Sequence, residues 1–167
     1  TVGVDMSKHK QEKTNAMRML DQAGISYETG EYEYDESDLS GDHVAEYLGI
    51  SKEEIFKTLV TRGSDKEIYV FMVPVSGELD LKKAAAAAGV KKVEMIHVKE
   101  IMGITGYIRG GCSPVGMKKA YPTFIDETAI LFDRIYISGG KRGLQIIIDP
   151  QTLADFTGAQ LVDIAKG

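Results

Sequence analysis

The distribution of apolar residues along the chain predicts several short helices. Spacings of three and four residues predict the first, from about Lys13 to Ala23, with Gly24 as its stop. Others are expected where a capping residue opens a segment or a glycine closes it, at 43–49, 80–89, 97–102 and 149–158. Ser51 and Glu54 fit a capping box that would open one more helical turn.

Alternating apolar and polar residues predict the strands. The segments 55–61 and 68–75 flank a turn at 63–65 and are expected to form a hairpin. Further strands are predicted at 25–34, 93–96, 123–125, 131–137 and 144–148. Many short strands, with helices at the beginning, middle and end, predict an α+β fold. We expect a mixed, mainly antiparallel sheet or an open barrel, flanked by helices.

Lys57 interrupts the apolar pattern of its strand. Alternation places it on one face with Ile55 and Leu59, and places Phe56 and Thr58 on the other face. A lysine on an edge strand discourages aggregation, which is one interpretation. A lysine that faces a pocket and holds an anionic ligand is the other.

The stretch from Thr105 to Lys119 is unusually rich in glycine. It holds four of the eighteen glycines, one of four prolines and the only cysteine. Such loops expose backbone N–H groups that can bind a phosphate or an oxygen with developing charge. A simple connecting loop is an equally good interpretation. Residues 138–143 form a second glycine-rich turn, with two cations.

Length and charge narrow the class of protein. The 167 residues fit one domain over the whole chain, and we interpret residues 1–5, before Met6, as a remnant of cloning. A net charge of −5 argues against a broad basic surface for nucleic acid, so any such contact should be local. No apolar run approaches the roughly 18 residues of a membrane span. One cysteine and no signal peptide suggest a cytoplasmic protein without a membrane partner.

Standard catalytic motifs are absent from the sequence. There is no Gly-x-Ser-x-Gly, His-Glu-x-x-His, Cys-x-x-Cys or nucleotide P-loop pattern. His97 has no second ligand at metal spacing, so neither a metal nor another cofactor is expected. Cys112 with a distant histidine is a weaker, nucleophilic alternative. The strand lysine, the two glycine-rich loops and the hydroxyls of Thr58, Ser113 and Ser138 suit binding and electrostatic stabilisation better.

Five segments occur in the order typical of one family. They are Phe-Lys-Thr-Leu at 56–59, Leu-Lys-Lys-Ala at 81–84, Gly-Val-Lys-Lys-Val-Glu-Met at 89–95, Thr-Gly-Tyr with Gly-Gly-Cys-Ser-Pro at 105–114, and Ser-Gly-Gly-Lys-Arg-Gly-Leu at 138–144. Together they resemble the YbaK/EbsC family of bacterial Cys-tRNA(Pro) deacylases, which are homologous to the editing domain inserted in prolyl-tRNA synthetase. The resemblance runs from about Lys13 to Ile164.

The resemblance implies an enzyme that removes cysteine wrongly attached to proline tRNA. In the family the position of Lys57 is indispensable, the turn at Gly110 and Gly111 supplies N–H groups, and a tyrosine matching Tyr32 lines the site. We therefore predict Lys57 as the catalytic residue. The predicted substrate-binding residues are Tyr32, Thr58, Gly110, Gly111, Ser113, Gly139 and Gly140.

The family chemistry also implies partners. The substrate's own thiol is proposed to attack its ester carbonyl and release a cyclic thiolactone, which leaves Cys112 as a bystander. The implied partners are the acceptor end of tRNA(Pro) and prolyl-tRNA synthetase, which would hold most of the tRNA. Some members carry an acidic residue where this chain has Gln145, so an acidic role is not transferred.

Two alternatives remain open. The first is a deacylase for another mischarged tRNA, such as Ala-tRNA(Pro), whose ester cannot cyclise through sulfur. The second is a non-catalytic regulatory binding protein, because the EbsC name comes from a context of cell-surface regulation.

Overall fold

The computed structural model describes residues 13–167, so the expectations for residues 1–5 and Met6 lie outside the described residues. Five α-helices are present in this range: α1 (Asn15–Gln22), α2 (Gly41–Leu48), α3 (Leu81–Ala88), α4 (Ile101–Thr105) and α5 (Pro150–Thr157). The strands are β1 (Glu28–Glu31), β2 (Phe56–Gly63), β3 (Ile68–Pro74), β4 (Val93–Met95), β5 (Thr123–Asp126), β6 (Ile135–Ser138), β7 (Leu144–Ile148) and β8 (Gln160–Val162). None of the described helices is long and apolar enough to span a membrane.

The strands form two sheets. One has three antiparallel strands in the order β1-β7-β6, and the other has five in the order β4-β2-β3-β5-β8. In the larger sheet β2 pairs antiparallel with β3 and β4, whereas the pairs β3–β5 and β5–β8 are parallel. The α+β class with mixed, mainly antiparallel strands is therefore confirmed, and the hairpin of β2 and β3 forms as predicted.

The two sheets meet where β2 begins. Ile55 forms a parallel bridge with Tyr136 of β6, and the Tyr136 N–H donates to the carbonyl oxygen of Glu54 at 2.9 Å. The largest core cluster takes side chains from both sheets and from α1 and α5, including Leu20, Phe56, Met72, Ile125, Ile137, Ile146 and Leu153. Packing among these buried side chains holds the two sheets together at this junction.

The helix ends follow the local signals in the sequence. Asp80 accepts hydrogen bonds from the N–H groups of Lys82 and Lys83 at the start of α3. Gly89 and Gly158 close α3 and α5 in the left-handed conformation, with φ of +75° and +73°. Glycine adopts this conformation without the steric cost of a side chain, which is why these stops were predictable.

Three elements differ from their predictions. The segment after Ser51 is a turn rather than a helical turn, because the Ser51 hydroxyl bonds Glu53 and not Glu54. The strand predicted at 131–137 begins only at Ile135, since residues 127–131 form a 3₁₀ helix whose first turn is capped by Asp126. The strand predicted at 25–34 is reduced to four residues, and β8 was not predicted.

Candidate active site

A cavity of about 180 Å³ opens at the junction of the two sheets. We call it the junction cavity, and its wall comprises Tyr32, Leu39, Gly41, Val44, Ile55, Phe56, Lys57, Thr58, Val75, Gly110, Cys112, Ser138 and Gln145. A somewhat larger cavity of about 220 Å³ beside Lys118 and Lys119 contains none of the predicted site residues. The junction cavity brings together four of them, Tyr32, Lys57, Thr58 and Gly110.

Lys57 lies between the two sheets rather than on an open edge. It pairs with Val73 of β3, whereas β4 pairs with β2 only from Thr61 onward. On that second side β6 approaches through the bridge between Ile55 and Tyr136. The half-buried Lys57 side chain lines the cavity, and it makes neither a salt bridge nor a hydrogen bond within residues 13–167. Its position favours the pocket interpretation over an anti-aggregation role.

Two polar atoms in the cavity wall lack hydrogen-bond partners. In the described part of the chain, the Thr58 Oγ1 and Gln145 Oε1 atoms are shielded from solvent and unpaired. Gln145 is only 5% exposed, and its position in β7 is fixed by pairing with Gly30 of β1 and Ser138 of β6. Buried polar atoms are nearly always hydrogen-bonded, so these two need an explanation.

The first glycine-rich loop reaches the cavity through Gly110 and Cys112 only. Gly110 lines the wall with a φ of +85°. The Gly111 N–H donates to the Ile108 carbonyl oxygen at 2.9 Å, and a Cβ on Gly111 would lie 2.8 Å from the Cα of Lys141. Gly111 therefore allows the two glycine-rich loops to touch, and Gly110 remains as the loop's candidate N–H donor.

The other predicted loop residues lie behind the cavity wall. Ser113 is fully buried, and its hydroxyl accepts a hydrogen bond from the Val115 N–H at 3.2 Å. The Gly139 N–H donates to the Leu144 carbonyl oxygen at 2.9 Å. The structure places Ser113, Gly139 and Gly140 outside the wall, so substrate binding by them stays a prediction.

These loops pack against the start of α1. The Thr14 hydroxyl donates to the Gly139 carbonyl oxygen at 2.5 Å, and the buried Tyr107 hydroxyl donates to Val115 at 2.6 Å. A Cβ on Gly140 would lie 3.0 Å from Thr14 and 3.1 Å from Tyr107. We call Thr14, Tyr107, Gly111, Gly139 and Gly140 the glycine hub, which positions the loops that carry Gly110 and Ser138.

Cys112 is poorly suited to nucleophilic attack. Burial raises the pKa of its thiol to about 11, so the group is protonated at neutral pH. Neither His43 nor His97 lines the junction cavity. The wall therefore contains no cysteine–histidine pair.

The wall offers one cation, several hydrogen-bonding groups and an apolar surface, with no carboxylate. Within residues 13–167, no group of three His, Cys, Asp or Glu side chains is placed to hold a metal ion. Such a wall can bind and orient a polar or anionic ligand, but it provides no evident general base.

Sequence reasoning missed the apolar part of the wall and the contribution of Gln145. Leu39, Val44 and Val75 come from three separate segments, and only the fold brings them together. Gln145 could have been found, because it is a polar residue within the apolar strand 144–148. The same signal identified Lys57.

Comparison with known proteins yields consistent matches. The family model described as "Aminoacyl-tRNA editing domain" matches residues 40–156. A relative from Enterococcus faecalis, named "Putative Cys-tRNA(Pro)/Cys-tRNA(Cys) deacylase EbsC", is 50% identical over 95% of this chain and 98% of its own length. Proline–tRNA ligase of Thermosipho melanesiensis is 26% identical over 74% of this chain, which corresponds to 21% of the ligase.

A solved structure extends the similarity to the fold. It is described as "a putative trans-editing enzyme for prolyl tRNA synthetase" and superimposes with a TM-score of 0.79 at 27% identity. The match covers 92% of this chain and 98% of that one.

Proposed function

The chain belongs to the aminoacyl-tRNA editing domain family, and on that premise we propose that it removes cysteine from mischarged Cys-tRNA(Pro). The observation that carries the proposal is the placement of Lys57. Its ammonium lines the junction cavity beside Tyr32, Thr58 and Gly110, and has no ionic partner in the described chain. The 50% identical relative named as a cysteinyl-tRNA deacylase supports the same substrate class.

In this proposal the substrate supplies its own nucleophile. The cysteine sulfur attacks the ester carbonyl carbon, and a C–S bond forms as the bond from that carbon to the ribose oxygen breaks. The thiol proton ends on the departing ribose hydroxyl, so the products are a cyclic thiolactone and uncharged tRNA. Holding thiol and ester in contact is then the main task of the protein. A wall without carboxylate or histidine is consistent with that task.

Lys57 and Gly110 have different parts in this proposal. The Lys57 ammonium holds the terminal adenosine through its phosphate or hydroxyl groups. The Gly110 N–H faces the carbonyl oxygen, where negative charge develops as the sulfur attacks. The apolar side chains around them exclude water, which strengthens both interactions.

A second protein is needed for tight tRNA binding in this account. The chain carries a net charge of −5, and affinity for nucleic acid rests largely on cations that neutralise phosphates. We therefore propose that prolyl-tRNA synthetase holds the tRNA body while this chain takes the acceptor end. Adding the synthetase should lower the KM for Cys-tRNA(Pro) and leave kcat nearly unchanged.

The experiment that tests the proposal compares two esters. Release of labelled amino acid is measured from Cys-tRNA(Pro) and from Ala-tRNA(Pro), with and without prolyl-tRNA synthetase. We expect rapid release of cysteine only, because alanine has no sulfur with which to cyclise. Release of alanine would assign the chain to a different editing reaction. If neither ester is cleaved even with the synthetase present, the enzyme assignment is wrong.

A further inference from the structure

The unpaired atoms of Gln145 and Thr58 are the feature of the junction cavity that the proposed chemistry does not use. Gln145 Oε1 and Thr58 Oγ1 are both shielded from solvent, and neither has a hydrogen-bond partner in the described residues. Both side chains line the same wall as Lys57. Since buried polar atoms are nearly always paired, two unpaired atoms in one cavity wall indicate a ligand that bonds them.

The position of Gln145 makes a purely structural explanation weak. Its flanking residues Leu144 and Ile146 are buried apolar side chains. The backbone of Gln145 pairs with strands on both sides, so it cannot turn away from the cavity by shifting register. An apolar side chain would pack at this position without leaving an unpaired carbonyl oxygen.

We propose that Gln145 and Thr58 bind the α-amino group of the aminoacyl substrate, an inference that rests on the proposed function. Both unpaired atoms can accept a hydrogen bond, and the Gln145 oxygen can only accept. Among the groups of an aminoacyl-adenosine end, the ester oxygens donate nothing and a ribose hydroxyl donates one hydrogen. The α-amine carries at least two N–H groups, so it can satisfy both acceptors at once.

The charge of the wall fits this assignment. The wall contains the cation Lys57 and no carboxylate, so the amine is bound by neutral acceptors rather than by an ion pair. Such contacts fix the α-carbon without selecting between amino-acid side chains. Anchoring the amine leaves the thiol and the ester carbonyl to rotate toward each other, which makes Gln145 and Thr58 substrate-positioning residues.

The test pairs substrate and protein changes. Gln145→Met and Thr58→Val remove the acceptors with little change of volume, whereas Gln145→Glu and Thr58→Ser retain them. Gln160→Met, at an exposed position of β8, is the matched control. Each protein is assayed for kcat/KM on Cys-tRNA(Pro) and on 3-mercaptopropionyl-tRNA(Pro), in which hydrogen replaces the α-amino group.

We expect a loss that depends on the amine. Gln145→Met and Thr58→Val should each lower kcat/KM about tenfold on Cys-tRNA(Pro), as the loss of one hydrogen bond implies. On the 3-mercaptopropionyl ester the same variants should stay within about twofold of wild type. Gln145→Glu and Thr58→Ser should keep the preference for the amine, and Gln160→Met should match wild type on both esters.

Other outcomes overturn the inference in distinguishable ways. An equal loss on both esters would mean that the two residues only support the wall. A loss that disappears on tRNA ending in 2′-deoxyadenosine, instead of on the 3-mercaptopropionyl ester, would assign the contact to the ribose. Wild type that leaves Cys-tRNA(Pro) intact would refute the proposed function itself. Thermal melting of each variant identifies any that fails to fold, and the acceptor-retaining variant at that position then decides the question.

Discussion

The junction cavity and the glycine hub lie next to each other and are built in opposite ways. In the hub the polar groups are paired: the Thr14 hydroxyl bonds Gly139, and the Tyr107 hydroxyl bonds Val115. In the cavity wall the Lys57 ammonium and the Gln145 oxygen have no partner among the described residues. The hub has satisfied its bonding capacity within the chain, and the cavity has kept its capacity for a ligand.

The difference shows that glycine content and binding capacity are separate properties. Gly111 and Gly139 are required by contacts that a Cβ would bring below 3.0 Å, to Lys141 and to Leu144 respectively. Such contacts are packing devices and bind nothing. Of the first glycine-rich loop, Gly110 and Cys112 reach the cavity wall. The hub therefore acts on function by holding that loop in place.

The largest expected effect separates the two regions by activity. Lys57→Ala should lower the rate of deacylation by about 10²–10³-fold, as the removal of an electrostatic stabiliser does elsewhere. The melting temperature should change little, because Lys57 makes no ion pair or hydrogen bond in the described chain. Single-turnover release of cysteine measures the first, and circular dichroism the second. Lys82→Ala, at an exposed position of α3, is the matched control and should behave as wild type. An active Lys57→Ala would move the site elsewhere.

The next effect concerns the stability of the hub. Gly111→Ala should lower the free energy of unfolding by about 1–3 kcal/mol, because its Cβ would lie 2.8 Å from the Cα of Lys141. Gly103→Ala is the matched control: nothing lies within 4 Å of its Cβ, and alanine favours the helix α4 by about 1 kcal/mol. Denaturant unfolding measures both. Equal stability of the two variants would show that the loops do not depend on their close contact.

The smallest effect is a pH dependence that originates in the cavity wall. Burial raises the pKa of the Cys112 thiol from 9.0 to about 11, so folding disfavours its thiolate. The resulting contribution to stability is complete below pH 9 and is lost as the pH rises toward 11. Cys112→Ala should therefore lose less stability than wild type between these values. Melting curves at several alkaline pH values measure the difference, and parallel curves would contradict the assigned burial.

The fold was predictable where the signals are local. Gly89 and Asp80 mark the ends of α3 because the turn and cap chemistry involves only a few neighbouring residues. The strand β8 escaped prediction because its three residues pair in parallel with β5, more than thirty positions earlier in the chain. The meeting of the two sheets at Ile55 has the same long-range origin.

The site was predictable where a residue contradicts its surroundings. Lys57 is a charge within an apolar strand, and the structure places it in the cavity wall. Ser113 and Gly139 were chosen from glycine-rich composition, which cannot separate close packing from a ligand cradle. Only the three-dimensional contacts of the hub make that distinction.

The central claim is that the substrate, and no protein side chain, supplies the nucleophile in the junction cavity. The most direct test is single-turnover cleavage of Cys-tRNA(Pro) and of S-methylcysteinyl-tRNA(Pro) by the wild-type protein. Methylation blocks sulfur attack and leaves the ester and the α-amine in place. We predict rapid cleavage of the first, with thiolactone as the initial product, and no cleavage of the second above the uncatalysed rate. Equal cleavage of both esters would contradict the account and require a nucleophile from the protein or from water.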